Sequence, residues 1–223
     1  MPAGITPMET MPTVVIFDVG NVLVDWQPEL LYRDMIPDES LRAQFLGEIA
    51  TKDWHFQHDA GRPFAETSAE LTARHPHFAE AIAAWGPRFG EQVAPMPGMA
   101  ALVDALRARG VPLYAITNFS HEFWPPFRRT YEALFEGFVD IVVSGEERLT
   151  KPDPVLYRRA LDRFGVAAAD ALFIDDRMDN IAGAAAVGMA THLFTDAATL
   201  RAALLDFCLI DPDIASSNEE PTP

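Results

Sequence analysis

The apolar positions of this chain change period twice. Val14-Val15-Ile16-Phe17 is an unbroken apolar run, three of its four residues β-branched, and it ends at Asp18 before the break at Gly20-Asn21. Such a run predicts a strand buried on both faces, as in parallel sheets. From Gln27 to about Pro95 the spacing is helical. Pro28 opens one pattern; Leu41, Phe45, Leu46 and Ile49 form another; Phe64, Ser68 and Leu71 a third; and Ala79 to Trp85 a fourth. No stretch there reads as a buried strand. Proline punctuates both borders, at Gln27-Pro28 and at Ala94-Pro95-Met96-Pro97-Gly98.

After Gly98 helix and strand alternate. Met99 to Arg109 predicts a helix with Leu102, Val103 and Leu106 on one face and Gly110 just past its end. A strand over Pro112 to Ile116 ends in Thr117-Asn118. A helix falls within His121 to Phe135, a strand over Val139 to Val143, and a helix over Pro154 to Phe164, stopped by Gly165. The strand Ala171 to Ile174 ends in Asp175-Asp176. A helix through Ala186, a strand over Ala190 to Phe194 and a helix over Ala197 to Leu205 complete the series. Repeated helix–glycine–strand units imply an α/β fold with a mostly parallel sheet. Residues 1–12 carry three prolines and no period, and predict a loose arm. Residues 208–223 are acidic and rich in Pro and Ser, and predict a disordered tail.

Composition narrows the classes. In 223 residues, 49% hydrophobic and 22% charged, there is material for a sizeable core. The formal net charge of −16 argues against nucleic acid or anionic membrane as a partner. Any anionic ligand must be held by a local arrangement. One cysteine, Cys208, excludes a disulfide framework or a thiolate metal site within the chain. The first basic residue is Arg33 and no apolar run reaches spanning length, so a cytoplasmic location is expected. Oligomeric state is not legible.

The candidate chemistry lies at the strand ends. Asp18, Thr117-Asn118 and Asp175-Asp176 each follow an apolar strand, and in a parallel sheet those ends share the edge where ligands bind. Lys151 sits in Leu149-Thr150-Lys151-Pro152-Asp153-Pro154. The residue before a proline is pushed towards an extended conformation, and Asp153 can cap a helix opening at Pro154. A lysine fixed there can neutralise an anion.

In this order the residues resemble the motifs of the haloacid dehalogenase-like hydrolase superfamily. They are Phe17-Asp18-Val19-Gly20-Asn21-Val22-Leu23, Ile116-Thr117-Asn118, Lys151-Pro152, and Phe173-Ile174-Asp175-Asp176 with Asp179 close behind. The likeness spans about residues 13–205. Asp-Val-Gly-Asn-Val, the double Asp and Phe123-Trp124-Pro125 resemble small sugar-phosphate phosphatases of the glucose-1-phosphate phosphatase kind. The resemblance implies a Rossmann-like core over 13–26 and 96–207, with an all-helical cap, 27–95, inserted after the first strand. It implies a phosphatase acting on a small phosphorylated metabolite. Asp18 would be the nucleophile that forms an aspartyl-phosphate. Asp18, Asp176, the Gly20 carbonyl and, through water, Asp175 would hold Mg²⁺. Thr117, the Asn118 backbone and Lys151 would hold the phosphoryl oxygens.

One position departs from that pattern. Most phosphatases of the superfamily carry a second Asp two residues after the nucleophile, which protonates the leaving oxygen; here it is Gly20. A positioned acid contributes about 10²–10⁴-fold. Good leaving groups, such as an anomeric phosphate, are therefore favoured, or another acid substitutes. Asp25, His55 and His58 are the candidates. The last two lie in Asp53-Trp54-His55-Phe56-Gln57-His58-Asp59-Ala60-Gly61-Arg62, which resembles a loop in those phosphatases and makes both histidines candidate substrate contacts. A zinc site on them lacks a third ligand. Arg177 reads as neutralising local charge. Two alternatives stay open: a 2-haloacid dehalogenase using Asp18 without metal, and a scaffold that binds metal and phosphate but does not turn over. Against the first stand Asp175-Asp176, Gly20 and the sequence Glu48-Ile49-Ala50 where that family carries an arginine. There is no P-loop and no Gly-x-Gly-x-x-Gly.

Overall fold

The computed structural model describes residues 11–212. Most of the expected arm and tail fall outside that range. The chain begins with β1 (Val14–Phe17) and β2 (Val24–Trp26). Five helices follow: α1 (Glu29–Met35), α2 (Glu39–Gln44), α3 (Lys52–Asp59), α4 (Phe64–Arg74) and α5 (Ala79–Ala84). Next come β3 (Val93–Pro95), α6 (Met99–Ala108), β4 (Leu113–Thr117), α7 (Trp124–Thr130) and β5 (Phe138–Val143). The rest is α8 (Ser144–Glu147), α9 (Pro154–Phe164), β6 (Ala171–Asp175), α10 (Met178–Ala186), β7 (Ala190–Leu193) and α11 (Ala197–Asp206).

Five strands form a parallel sheet in the order β5-β4-β1-β6-β7. β1 is central, which is why its residues are apolar throughout. Val15 and Phe17 face one layer, with α6, α11 and the helices between β2 and β3. Val14 and Ile16 face the other, with Leu156, Tyr157 and Ala160 of α9 and Ile181 and Ala184 of α10. Phe17 is level with Ala115 on one side and Ile174 on the other. Asp18 therefore emerges one residue beyond them, at the level of Ile116 and Asp175. Gly110 and Gly165, expected to end helices, both take a φ of +68°. Asp153 caps α9, its carboxylate accepting from the Val155 amide at 2.8 Å. The Lys151–Pro152 peptide is cis.

Three expectations are corrected. The segment 27–95 is not helical throughout, because Val93–Pro95 pairs antiparallel with Val24–Trp26. Three residues are too few to show an alternating pattern. Leu41 does not share a buried face with Phe45 and Ile49; it is exposed in α2, and the stretch that follows, Phe45–Ile49, is π-helical. Leu209 and Ile210 are buried in the core, so the ordered chain runs past residue 207, where the tail was expected to begin. Among the described residues no helix is long and apolar enough to cross a membrane.

Gly183 in α10 sets how closely the Lys151 loop lies on that helix. A Cβ there would come within 2.7 Å of the Pro152 carbonyl oxygen and 2.9 Å of the Tyr157 ring. Alanine gains about 1 kcal/mol of helix propensity over glycine, but overpacking costs about 1–3 kcal/mol, and backbone yields less readily than a side chain. Gly183→Ala is expected to lower the urea midpoint of unfolding; a raised midpoint would show that the loop moves freely.

Candidate active site

Four ionisable groups meet at the carboxyl end of the sheet. Asp18 leaves β1, with one carboxylate oxygen accepting from the Val19 amide at 2.7 Å. Asp175 closes β6, and Asp176 follows it. Carboxylate oxygens of Asp18, Asp175 and Asp176 lie within 4.8 Å of one another. The fully buried Lys151 ammonium is 2.8 Å from Asp18 Oδ2 and 2.7 Å from Asp175 Oδ2. Burial pushes the Asp18 carboxyl up to about 8; Lys151 opposes this and Asp175 adds to it. Burial works to lower the Lys151 pKa, but the two carboxylates win and raise it, so Lys151 is a cation. Burial, and then the Asp175 charge, raise Asp176.

The local chemistry of the loops explains why these groups stay in place. The Asn118 side chain clamps the Lys151 backbone from both sides. Its oxygen accepts from the Lys151 amide at 2.8 Å, and its nitrogen donates to the Lys151 carbonyl at 3.1 Å. Asp175 is saturated: besides Lys151 it accepts from the Arg177 amide at 2.9 Å and from the Asn180 side chain at 2.9 and 3.1 Å. Asp176 is not. Among the described residues its side-chain partner is Asn21, which donates at 3.3 Å and takes a left-handed φ of +57° at the break after β1. Among the described residues the buried Thr117 hydroxyl has no partner, which leaves a donor free at the sheet edge.

A cavity of about 440 Å³ opens over this cluster. Asp18, Gly20, Asn118, Lys151 and Asp176 line it from the sheet side, and Trp26, His55, Phe56, Asp59 and Phe89 from β2 and the helices that follow. Its size suits a small molecule. Arg177 lies over the Phe56 ring at 5.8 Å and pairs with Asp179 at 2.8 Å, in keeping with local charge neutralisation.

The two histidines separate. His55 reaches the cavity. Its Nδ1 accepts from the Trp85 indole at 3.1 Å, so the neutral ring carries its proton on Nε2. It stacks on Phe89, with ring centroids 5.6 Å apart. The structure does not bring His58 to the cavity. It is fully buried, with Nε2 2.6 Å from the Thr67 hydroxyl. Burial, helped by His58, lowers His55 to about 3; burial, helped by Arg62, lowers His58 to about 4. Asp25 is half-buried, outside the cavity lining, and accepts from Gln27.

Sequence reasoning passed over Asn180, Asn21 and Asp59. Asp59 is buried, its Oδ1 lacks a partner, and it lines the cavity. The available signal was its place four residues after His55, one helical turn away on the same face.

Known proteins were compared with the chain. The family model of haloacid dehalogenase-like hydrolases matches residues 12–188. The sesquiterpene phosphatase astK of Aspergillus oryzae is 29% identical, over 81% of this chain and 89% of its own. A phosphoglycolate phosphatase of Rhodospirillum rubrum is 31% identical, over 80% of this chain and 78% of its own. A solved family hydrolase from Deinococcus radiodurans R1, with bound phosphate and sodium, superposes with a TM-score of 0.64 at 24% identity, covering 91% of this chain and 99% of that one.

The buried imidazoles generate a pH prediction. Their pKa values lie below the unfolded value of about 6.5, so between about pH 4 and 6.5 the unfolded chain binds protons that the folded chain refuses, and stability falls as pH falls. Asp59, raised by burial to about 7, contributes in the opposite sense. His58→Gln removes one imidazole. From pH 6.5 to 5 the urea-derived stability of wild type should therefore drop relative to that of His58→Gln, by about 1 kcal/mol per pH unit. Parallel slopes would mean His58 takes up a proton in the fold.

Proposed function

The chain belongs to the haloacid dehalogenase-like hydrolase family, and from that premise we propose that it is a Mg²⁺-dependent phosphatase of small phosphate monoesters, sugar phosphates favoured, acting through an aspartyl-phosphate on Asp18. The observation that carries this reading is the lysine-bridged carboxylate cluster at the edge of the sheet: Asp18 beside Lys151, with Asp175 and Asp176.

The donor set fits the metal. Mg²⁺ takes one or two carboxylates, water and substrate oxygens. Asp176, with a single hydrogen bond, is free to bind directly, together with Asp18 and the Gly20 carbonyl. The saturated Asp175 is suited to act through water. When bound, the cation offsets the repulsion between an anionic nucleophile and an anionic phosphate. The remaining roles fall to the chain. Lys151, the Thr117 hydroxyl and the Asn118 backbone receive the phosphoryl oxygens as charge spreads over them. Lys151 also pulls the Asp18 pKa down against its burial, towards the ionised form that an attacking carboxylate requires. The Asn118 side chain acts by holding Lys151, not by touching substrate. Trp26, Phe56 and Phe89 offer apolar faces to the alcohol half of the ester, and His55 a polar edge, which suits a ring carrying hydroxyls on an apolar frame.

A phosphate-ester panel run with Mg²⁺, with EDTA and with Asp18→Asn, alongside halide release from 2-chloropropionate, tests the proposal. Phosphate release that needs Mg²⁺ and is abolished in Asp18→Asn is expected. Halide release indifferent to EDTA would establish the dehalogenase instead. Mg²⁺ at 100 times its Kd should add about 2.7 kcal/mol of stability, a rise in melting temperature on the order of 5 °C. Asp176→Asn should lose most of it. No turnover with that rise intact would identify a non-catalytic scaffold.

A further inference from the structure

Position 20 leaves the cavity without the second Asp that the resemblance to most phosphatases of the superfamily would imply there. Gly20 lines the cavity, and a Cβ built on it meets no atom within 4 Å. Space for a side chain exists and nothing fills it. Other carboxylates near the phosphate end are committed: Asp18 and Asp175 to Lys151, Asp176 to the metal, and Asp179 to a two-point pair with Arg177 that holds its carboxyl below the usual range.

We propose that Asp59, at the end of α3, is the general acid that protonates the leaving oxygen. The inference rests on the phosphatase reading above. Asp59 lines the same cavity as Asp18 and Lys151 but enters it from the helical side, where the proposed reading puts the alcohol half of the ester. It is 2% exposed, and its Oδ1 is without a hydrogen-bond partner. The His55 Nε2–H, fixed by the indole of Trp85, stands 3.7 Å from that oxygen, beyond hydrogen-bond reach. The Asp59 carbonyl accepts from the Ser144 hydroxyl at 2.6 Å, and the Ser120 backbone bonds to the side chain, so two loops of the sheet edge fix the residue. Burial raises its pKa to about 7, against the pull of Lys151, which keeps a proton available near neutrality. His55 is a neutral donor too weakly basic to serve in its place.

In the step, an Asp18 oxygen forms a bond to phosphorus as the bond from phosphorus to the ester oxygen breaks. The Asp59 proton passes to that oxygen and the alcohol leaves neutral. The Asp59 carboxylate then takes a proton from the water that attacks the aspartyl-phosphate, which releases phosphate and the free Asp18 carboxylate and restores the acid.

The test compares kcat/KM for glycerol phosphate, whose alkoxide needs a proton, with p-nitrophenyl phosphate, whose leaving group does not. Asp59→Asn should lose about 10²–10⁴-fold on the first and less than about tenfold on the second. Gly20→Asp added to Asp59→Asn should recover activity on glycerol phosphate. Equal losses on both esters, or none, overturn the inference. Wild type alone gives a readout that does not depend on the variant folding. Its kcat/KM for glycerol phosphate, divided by that for p-nitrophenyl phosphate, should fall above about pH 7, because titration of Asp18 acts on both esters alike. Of the groups facing Asp59, Lys151 stays charged and His55 neutral through that range. A ratio level with pH overturns the inference. p-Nitrophenyl phosphate hydrolysis that Asp18→Asn abolishes sustains the phosphatase reading whatever Asp59 shows; a wild type silent on both esters overturns both.

Discussion

The site depends on one buried ammonium. Lys151 is enclosed between Asp18 and Asp175, at 2.8 and 2.7 Å. Taking a charge out of water costs several kcal/mol, and the pair repays it only with good geometry and further hydrogen bonds. Those bonds are present: Asn118 grips the backbone of Lys151, while Asn180 and the Arg177 amide complete Asp175. Removing Lys151 would leave three carboxylates with oxygens inside 4.8 Å and no cation among them. In a chain of net charge −16, Lys151 is the positive charge that an approaching anion meets among these carboxylates. The short, glycine-permitted approach of α10 to Pro152 brings the lysine loop near enough to serve that purpose.

Much of the fold was legible because its strands are buried on both faces. A strand such as Val14–Phe17 or Ala171–Asp175 has no solvent side, so its apolar run is unambiguous. Glycines in the left-handed region fixed the helix ends. What could not be read was either too short or out of period. β3 is three residues long, and the π-helical turn at Phe45–Ile49 breaks the 3.6-residue spacing that would have exposed it. The buried Leu209 and Ile210 are two apolar residues beside an acidic stretch, which composition alone assigns to the tail.

The site divides the same way. Groups at the ends of parallel strands converge by topology, so Asp18, Thr117, Asp175 and Asp176 could be placed from strand order alone. Side chains on the helices between β2 and β3 could not, because which helical face looks inward depends on packing. His55 and His58 are three residues apart and look equivalent in sequence. Trp85 and Phe89 hold one at the cavity wall, and Thr67 holds the other inside the helical layer. The amide residues were hard to rank for a different reason. Asn118 and Asn180 act through geometry toward Lys151 and Asp175, and no residue type announces its partner.

The proposed place of the acid on α3, rather than in the loop after Asp18, changes what such chemistry would depend on. An acid two residues after Asp18 keeps its distance to the nucleophile whatever the helical layer does. An acid on α3 keeps it only while that layer is seated on the sheet edge. The seat is built accordingly. Ser144 bonds to the Asp59 carbonyl and to the Phe119 amide at once, so the same hydroxyl ties α3 to the loop carrying Asn118. Two residues on, Gly61 has a φ of +88°, and a Cβ there would lie 2.9 Å from the Gly145 carbonyl oxygen. Glycine is required on both counts, backbone conformation and clearance. On the far side, the Phe64 amide donates to Glu122 at 2.7 Å. These contacts span the end of α3 and bind it to the loops after β4 and β5. The proposed acid is thereby tied to the seating of α3, whereas Asp18 and the carboxylate pair stand at the ends of the sheet strands and Lys151 is held by Asn118 and the loop packed on α10.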